Sequence, residues 1–160
     1  VGMEDLVETT IHALKSGYTI AWGADVSENG FSFKNGLAIV PADPGMIEVI
    51  GKDDKRFNNA GAERKSNAFL EPMKELEITP ELRQKGYDNK TTTDDHGMHI
   101  VGLFQDQNGT RYFLVKNSWG TNNLPQGYLY VSENYFKYKT INIYLHKDGV
   151  PTNLKNKLNW

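Results

Sequence analysis

A turn sequence between two apolar segments sets the strongest constraint on how this chain folds. Residues 98–104 and 112–116 are rich in aromatic and branched aliphatic side chains, and Asp106-Gln107-Asn108-Gly109 lies between them. Asn-Gly is a strong signal for a tight hairpin turn, because both residues tolerate the positive φ angles that such turns need. The two segments are therefore predicted to pair as antiparallel strands.

The remaining patterns predict an α+β fold. Residues 3–16 carry apolar side chains at the spacing of one helical face, and Gly17 is a natural terminator. Thr79 and Pro80 are typical of a helix start and predict a helix over 79–85. Another short helix is predicted at 66–75, and strands are predicted at 18–22, 36–41, 128–131 and 141–145. The sequence therefore indicates an N-terminal helix followed by an antiparallel sheet that curls into a partial barrel.

The composition limits the classes of function. With 160 residues, the chain is predicted to form one domain. Residues 41–65 are predicted to form a long polar surface loop with a short strand at 46–50. The tail from residue 147 is polar and is predicted to fray. A net charge of −2 gives no case for nucleic acid, and the apolar runs are too short for a membrane span. The absence of cysteine excludes disulfides, zinc thiolate sites and a thiol nucleophile on this chain.

The hairpin brings two chemically useful side chains together. His96 lies at the start of the first strand and Asn117 follows the end of the second, so antiparallel pairing makes them neighbours. An amide oxygen that accepts from one ring N–H fixes the tautomer of an imidazole, which can then act as a general base or stabilise a thiolate. The alternative is a solvent-facing histidine beside an asparagine that caps a turn.

A metal site is the weaker interpretation of the same region. Asp94, Asp95, His96 and His99 resemble a ligand cluster. In an extended strand, however, His96 and His99 point to opposite faces of the sheet and could not bind one ion. The prediction is therefore that the chain holds no metal and no cofactor.

Two segments resemble those of a known enzyme family. Asp95-His96-Gly97-Met98, which runs on to Gly102, and the later Lys-Asn-Ser-Trp-Gly of residues 116–120 are similar to the histidine and asparagine segments of papain-like cysteine peptidases. The likeness is nearest to the bleomycin hydrolase and aminopeptidase C branch. Its further marks are Gly127-Tyr128-Leu129, the pair Tyr135-Phe136, the stretch Trp22-Gly23-Ala24-Asp25-Val26 and residues 145–151.

The resemblance implies a role for each matching residue. His96 would be the general base and the imidazolium partner of a thiolate, and Asn117 would orient it. Trp119 would shield their contact from water. Asp95 and Gly97 would line the substrate cleft. The chain would be the barrel half of a papain-like fold, which agrees with its strand-rich pattern.

The departures from the family pattern matter equally. The nucleophilic cysteine and the oxyanion-hole glutamine belong to the helical half, which is expected to precede this chain. Residues 41–65 are an insertion that the resemblance does not cover. Residues 151–160 show no arm like the one that restricts the aminopeptidase branch to free N-termini, so aminopeptidase and endopeptidase action both stay open.

These features together predict the histidine and asparagine half of a cysteine peptidase. Its partners would be a peptide substrate, the cysteine-bearing half of the same protein and, by family analogy, further copies in a hexamer. The same analogy favours the cytoplasm, with secretion or the periplasm left open. The alternative is a non-catalytic papain-like domain that binds peptides or a partner protein.

Overall fold

The structure, a computed structural model, describes residues 1–50 and 63–160 and confirms the α+β prediction. The helices are α1 (Met3–Lys15), α2 (Pro80–Asp88), α3 (Glu133–Lys139) and α4 (Thr152–Lys157). The strands are β1 (Ile20–Ala24), β2 (Phe31–Ser32), β3 (Leu37–Ala38), β4 (Glu48–Ile50), β5 (Glu63–Lys65), β6 (His96–Gln105), β7 (Arg111–Lys116), β8 (Tyr128–Ser132) and β9 (Thr140–Leu145).

Seven strands form one sheet in the order β2-β3-β8-β7-β6-β1-β9. All neighbours are antiparallel except β3 and β8, which run parallel. Strand β1 therefore inserts between β6 and β9, whereas a simple sequential antiparallel sheet would have left it at an edge. In the described part of the chain, the end strands β2 and β9 do not pair, so the sheet stays open and does not close into a barrel.

The main core lies between the sheet and two helices. Helix α1 buries Leu6, Val7 and Ala13 on one face, as its apolar spacing predicts. Helix α3 begins directly after β8, where the hydroxyl of Ser132 accepts from an amide of its first turn. Its Phe136 ring packs 4.7 Å from Phe113 and 5.9 Å from Trp22, measured between ring centroids. Aromatic pairs at such separations stabilise a core beyond the area they bury.

A second, smaller core corrects the helix predicted at 66–75. The structure has one 3-10 turn there, Asn67–Phe69, and an extended chain that reaches a bridge between Pro41 and Glu75. Pro72 would break a helix in its middle. Ala68 and Phe69 instead bury themselves with two isoleucines on the other face of the sheet, so tertiary contacts outweigh the local helical pattern.

The predicted loop at 41–65 contains a small separate sheet. Strands β4 and β5 pair antiparallel, so the strand expected at 46–50 starts at Glu48. Residues 51–62 of the predicted insertion lie outside the described residues. Strand β1 begins two residues later than predicted and runs to Ala24. The tail expected to fray contains α4, which buries Leu154. No helix in the described ranges is long and apolar enough to cross a membrane.

Candidate functional site

The predicted hairpin brings His96 beside Asn117. Strands β6 and β7 pair with His99 opposite Lys116, so Asn117 lies directly beyond the paired strands. Asp106 closes the turn, because its carboxylate accepts from the amides of Asn108 and Thr110. A shift in register between Ile100 and Gly102 bends β6 on the way to the site.

The side-chain contact between His96 and Asn117 has a defined polarity. Nε2 of His96 lies 2.7 Å from Oδ1 of Asn117, and the same oxygen accepts from the amide of Ser118 at 2.7 Å. A backbone N–H can only donate, so this atom of Asn117 is the oxygen and Nε2 of His96 must donate to it. In the neutral ring, Nδ1 is then the nitrogen that accepts a proton.

One aromatic ring packs against the imidazole of this pair. The ring of Trp119 lies 4.9 Å from that of His96 between centroids, tilted by 36°. Its own position is set by edge contacts with Phe31 at 5.8 Å and Phe33 at 5.5 Å. Asn117 is 7% exposed. Water therefore has little access to the Asn117 end of the hydrogen bond, and such partial exclusion of solvent strengthens the bond.

The other predicted site residues differ in their exposure. Asp95 and Gly97 flank His96 and are both exposed, and a Cβ added at Gly97 would meet nothing within 4 Å. His99 lies apart from His96, since its Nε2 is 2.8 Å from the hydroxyl of Thr19 on an exposed surface. Among the described residues, no group of three histidine or acidic side chains could hold a metal ion.

Sequence reasoning missed a buried ionic cluster under the loop that precedes His96. Lys139 and Asp25 are 2% and 1% exposed, and the Lys139 Nζ lies 3.7 Å from Oδ2 of Asp25. Lys139 is three residues from Phe136 and four from Tyr135, so its place on the buried face of α3 could have been found had 133–139 been predicted as a helix. Asp25, between Ala24 and Val26 at the end of a strand, carries only a weak signal.

Two carboxyl groups of this region have opposite pKa shifts. Burial, together with a hydrogen bond to Asp95, raises the pKa of Asp25 to about 6. Partial desolvation of the Asp95 carboxyl would raise its pKa as well, but hydrogen bonds with Thr93, Asp25 and Ser27 hold that pKa below the ordinary value. The two shifts mean that, as the pH falls, Asp25 takes up a proton before Asp95 does.

The histidine and asparagine lie apart from a mostly apolar pocket. That pocket, about 300 Å³ in volume, lies against the second core and is lined by residues such as Phe69, Phe104 and Tyr112. Burial and the nearby Glu75 and Asp106 raise the pKa of Tyr112 to about 12. His96, Asn117 and Trp119 are not among its lining residues.

Comparisons with known proteins find similarity to peptidases. A family model described as the Peptidase C1-like family matches residues 74–160. Cathepsin L of Sarcophaga peregrina is 31% identical over 108 residues, which cover 62% of this chain and 30% of that protein. Aminopeptidase G of Lactobacillus delbrueckii subsp. lactis is 35% identical over 52 residues, 32% of this chain and 12% of that protein.

A solved structure matches nearly the whole chain. The crystal structure of PepW from Lactobacillus rhamnosis HN001 aligns with a TM-score of 0.62 and 18% identity, over 99% of this chain and 30% of that one. At this identity the likeness concerns the fold. The chain spans less than a third of each of these three proteins.

Proposed function

This chain belongs to the Peptidase C1-like family of papain-like cysteine peptidases, and from that membership we propose that it supplies the general base and its orienting amide to a peptidase active site. The cysteine nucleophile would come from polypeptide outside these 160 residues, since the chain has no cysteine. In this proposal the chain is the C-terminal part of the enzyme, and its substrate is a peptide.

The hydrogen bond between His96 and Asn117 carries the proposal. It leaves Nδ1 of His96 as the proton acceptor of the ring, and this is the nitrogen that would face a thiol. The Trp119 ring supports it, because a ring that packs 4.9 Å from the imidazole between centroids limits the orientations that the imidazole can take. A histidine fixed in this way is suited to take a proton from a thiol and to return it to a leaving amine.

The reaction would follow the two steps of nucleophilic catalysis. The thiolate attacks the peptide carbonyl, and the imidazolium of His96 gives its proton to the departing amine, which leaves an acyl-enzyme. The neutral ring then takes a proton from water, which attacks the thioester and releases the acid, and the sulfur leaves as a thiolate beside the imidazolium. Asn117 orients the ring in both steps.

The exposed positions of Asp95 and Gly97 support a place beside the substrate. Both flank His96, and the space next to Gly97 is open in this chain. A cleft needs a second wall, and in this proposal the cysteine-bearing half provides it. The same junction would bring the thiol to His96.

The test uses the full-length protein that contains these residues, assayed on fluorogenic peptides. His96→Ala is expected to lower kcat by about 10²-fold or more, because general acid–base catalysis typically contributes about 10²–10⁴-fold. Asn117→Ala is expected to lower kcat less, since the histidine remains. His99→Ala is the matched control, because that histidine lies three residues along the same strand and contacts Thr19 instead.

Each outcome bears on the proposal. A His96→Ala enzyme with wild-type turnover would contradict the proposed role of His96, and so would an equal loss in His99→Ala. The lack of cysteine in this chain favours one second candidate, a papain-like domain that binds peptides without cleaving them. Peptide binding by the full-length wild-type protein, with no turnover and no thiol that reacts with an alkylating reagent, would support that candidate.

A further inference from the structure

The pocket against the second core is lined by aromatic rings from several elements. They are Phe104 of β6, Tyr112 of β7, Tyr130 of β8 and Phe69 of the 3-10 turn after β5. The rings of Phe104 and Tyr130 meet edge to face, with 5.4 Å between their centroids. The pocket volume of about 300 Å³ lies at the lower end of the range for small-molecule sites, which is about 300–1,000 Å³. The pocket therefore has room for one aromatic ring with a short chain.

Two carboxylates that line this pocket each have one oxygen without a partner. Oε2 of Glu75 accepts from the amide of Val40 at 2.7 Å and from the hydroxyl of Ser132 at 2.6 Å. Oδ1 of Asp106 accepts from two amides of its own turn. The other oxygens, Oε1 of Glu75 and Oδ2 of Asp106, are buried and have no hydrogen-bond partner among the described residues. A buried acceptor without a partner is unfavourable, and a charged one more so, because neither water nor protein replaces its solvation.

The charges around the pocket favour a cation. The described residues that line it include the carboxylates of Glu71, Glu75 and Asp106 but one lysine, Lys74, so negative charge is in excess. Glu75 and Asp106 act on the same space, since burial and the charge of both carboxylates raise the pKa of the Tyr112 phenol to about 12. The faces of the aromatic rings also attract a cation.

We propose that this pocket binds a small organic cation, an ammonium or guanidinium group on an apolar body. The charge would lie toward Glu75 and Asp106 and offset their negative charge, and the body would pack against the aromatic lining. A small ligand fits the pocket better than a protein partner does. The exposed apolar side chains at its rim, Leu70, Met73 and Phe104, are too few to supply the roughly 800 Å² per partner that a stable protein interface buries.

The pocket is separate from the candidate active site. His96 is the first residue of β6, and Phe104 lies next to the last residue of the same strand. At about 3.3 Å per residue, the two positions are about 26 Å apart along the strand. The inference therefore does not rest on the proposed function, and its test needs no turnover.

The test measures the binding of three probes to the full-length protein by ligand-detected NMR titration. Phenethylamine carries the proposed charge, phenethyl alcohol has the same body without the charge, and phenylacetate has the opposite charge. Phenethylamine is expected to bind at least about tenfold more tightly than phenethyl alcohol, because contacts to an ionised group are the stronger ones. Phenylacetate is expected to bind more weakly than either.

Two variants each remove one charge and keep the acceptor that the fold uses. Asp106→Asn retains an amide oxygen for the amides of the turn, and Glu75→Gln retains one for the amide of Val40. Each is expected to weaken the binding of phenethylamine about tenfold and to leave that of phenethyl alcohol unchanged. A folding defect in one variant leaves the other as the test. Glu77→Gln is the matched control, because this exposed carboxylate lies two residues from Glu75 and is not among the lining residues.

A third variant locates the site, and each result bears on the proposal. Phe104→Ala should weaken the binding of the amine and the alcohol alike, because it removes part of the aromatic lining. Equal affinity for amine and alcohol would overturn the proposal, and so would wild-type affinity for the amine in both charge variants. Binding of acetyl-arginyl-phenylalanine amide without binding of phenethylamine would indicate a docking site for polypeptide and would also overturn it. A protein that cleaves no peptide can still give the expected result, so this test and that of the proposed function can fail independently.

Discussion

Replacing Lys139 with methionine is the sharpest test of the buried ionic cluster. Methionine has nearly the length of the lysine stem, so Lys139→Met removes the charge and three hydrogen bonds with little loss of packing. The partners left behind are Glu28, Thr91, Thr92 and, at 3.7 Å, the buried carboxyl of Asp25. The variant therefore isolates the cost of leaving those groups without their cation.

The expected loss of stability is large. Removing one partner of a buried ion pair costs about 3–5 kcal/mol, because the other charge stays buried without compensation. With urea m-values of about 1–3 kcal/mol/M, that loss lowers the unfolding midpoint by about 2 M. Fluorescence reports the transition, since Trp22 is 1% exposed in the folded protein. Lys157→Met is the control, because this exposed lysine pairs with Asp5 at the surface and its loss should leave the midpoint unchanged.

The loss is expected to depend on pH in a defined direction. The pKa of Asp25 is raised to about 6 in the folded protein, and the charge of Lys139 opposes that rise. Without Lys139 the folded protein would hold the Asp25 proton still more tightly. Because the folded pKa exceeds the unfolded one, stability falls as pH rises through the folded pKa and recovers as pH is lowered. Lys139→Met should therefore be closer to wild type at about pH 5 than at about pH 8.

Two results would refute this reasoning. One is a loss below about 1 kcal/mol, the range of an exposed ion pair, because the lysine would then not act as a buried charge. The other is the same loss at both pH values, because Asp25 would then not be the group left uncompensated. The double variant Lys139→Met with Asp25→Asn should recover part of the stability, since it removes both charges.

Three further substitutions test how local geometry supports the site and its neighbouring helix. Gly127 has φ +95°, and a Cβ there would lie 2.9 Å from the carbonyl oxygen of Gly120. Gly127→Ala should therefore lower the free energy of unfolding in urea by about 1–3 kcal/mol. Gly97→Ala is its control, because the space beside Gly97 is open and the substitution should leave that free energy unchanged. Thr79→Ala removes the side chain that accepts from the amide of Leu82 and should cost about 1 kcal/mol, and an unchanged midpoint would contradict its capping role.

Local signals explain what the sequence could predict. Helix α1, the start of α2 at Thr79 and the turn at Asp106 all follow from residues within a few positions of one another. The closeness of His96 and Asn117 also follows, because one hairpin connects them and its turn sets the register. These elements and their order are sufficient to predict the α+β class.

The parts that could not be predicted depend on partners far away in the chain. The strand order with β1 between β6 and β9 joins residues 20–24 to 140–145. The 3-10 turn at Asn67–Phe69 forms because Phe69 finds a place on the second core. Glu75 is held by Val40 and Ser132, which are 35 and 57 residues away in sequence. No pattern within a short window carries that information.

The two halves of the candidate site therefore differ in what supports them. The contact between His96 and Asn117 depends on one hairpin and a covering tryptophan, so substitutions there should change chemistry and leave the fold intact. The hold on the loop before His96 depends on Asp25 and Lys139, which are 114 positions apart in sequence and meet only when β1 and α3 are both in place. Substitutions in that cluster should therefore change stability and the histidine together. A substitution that lowers stability without any effect on the histidine would show that this loop does not position the site.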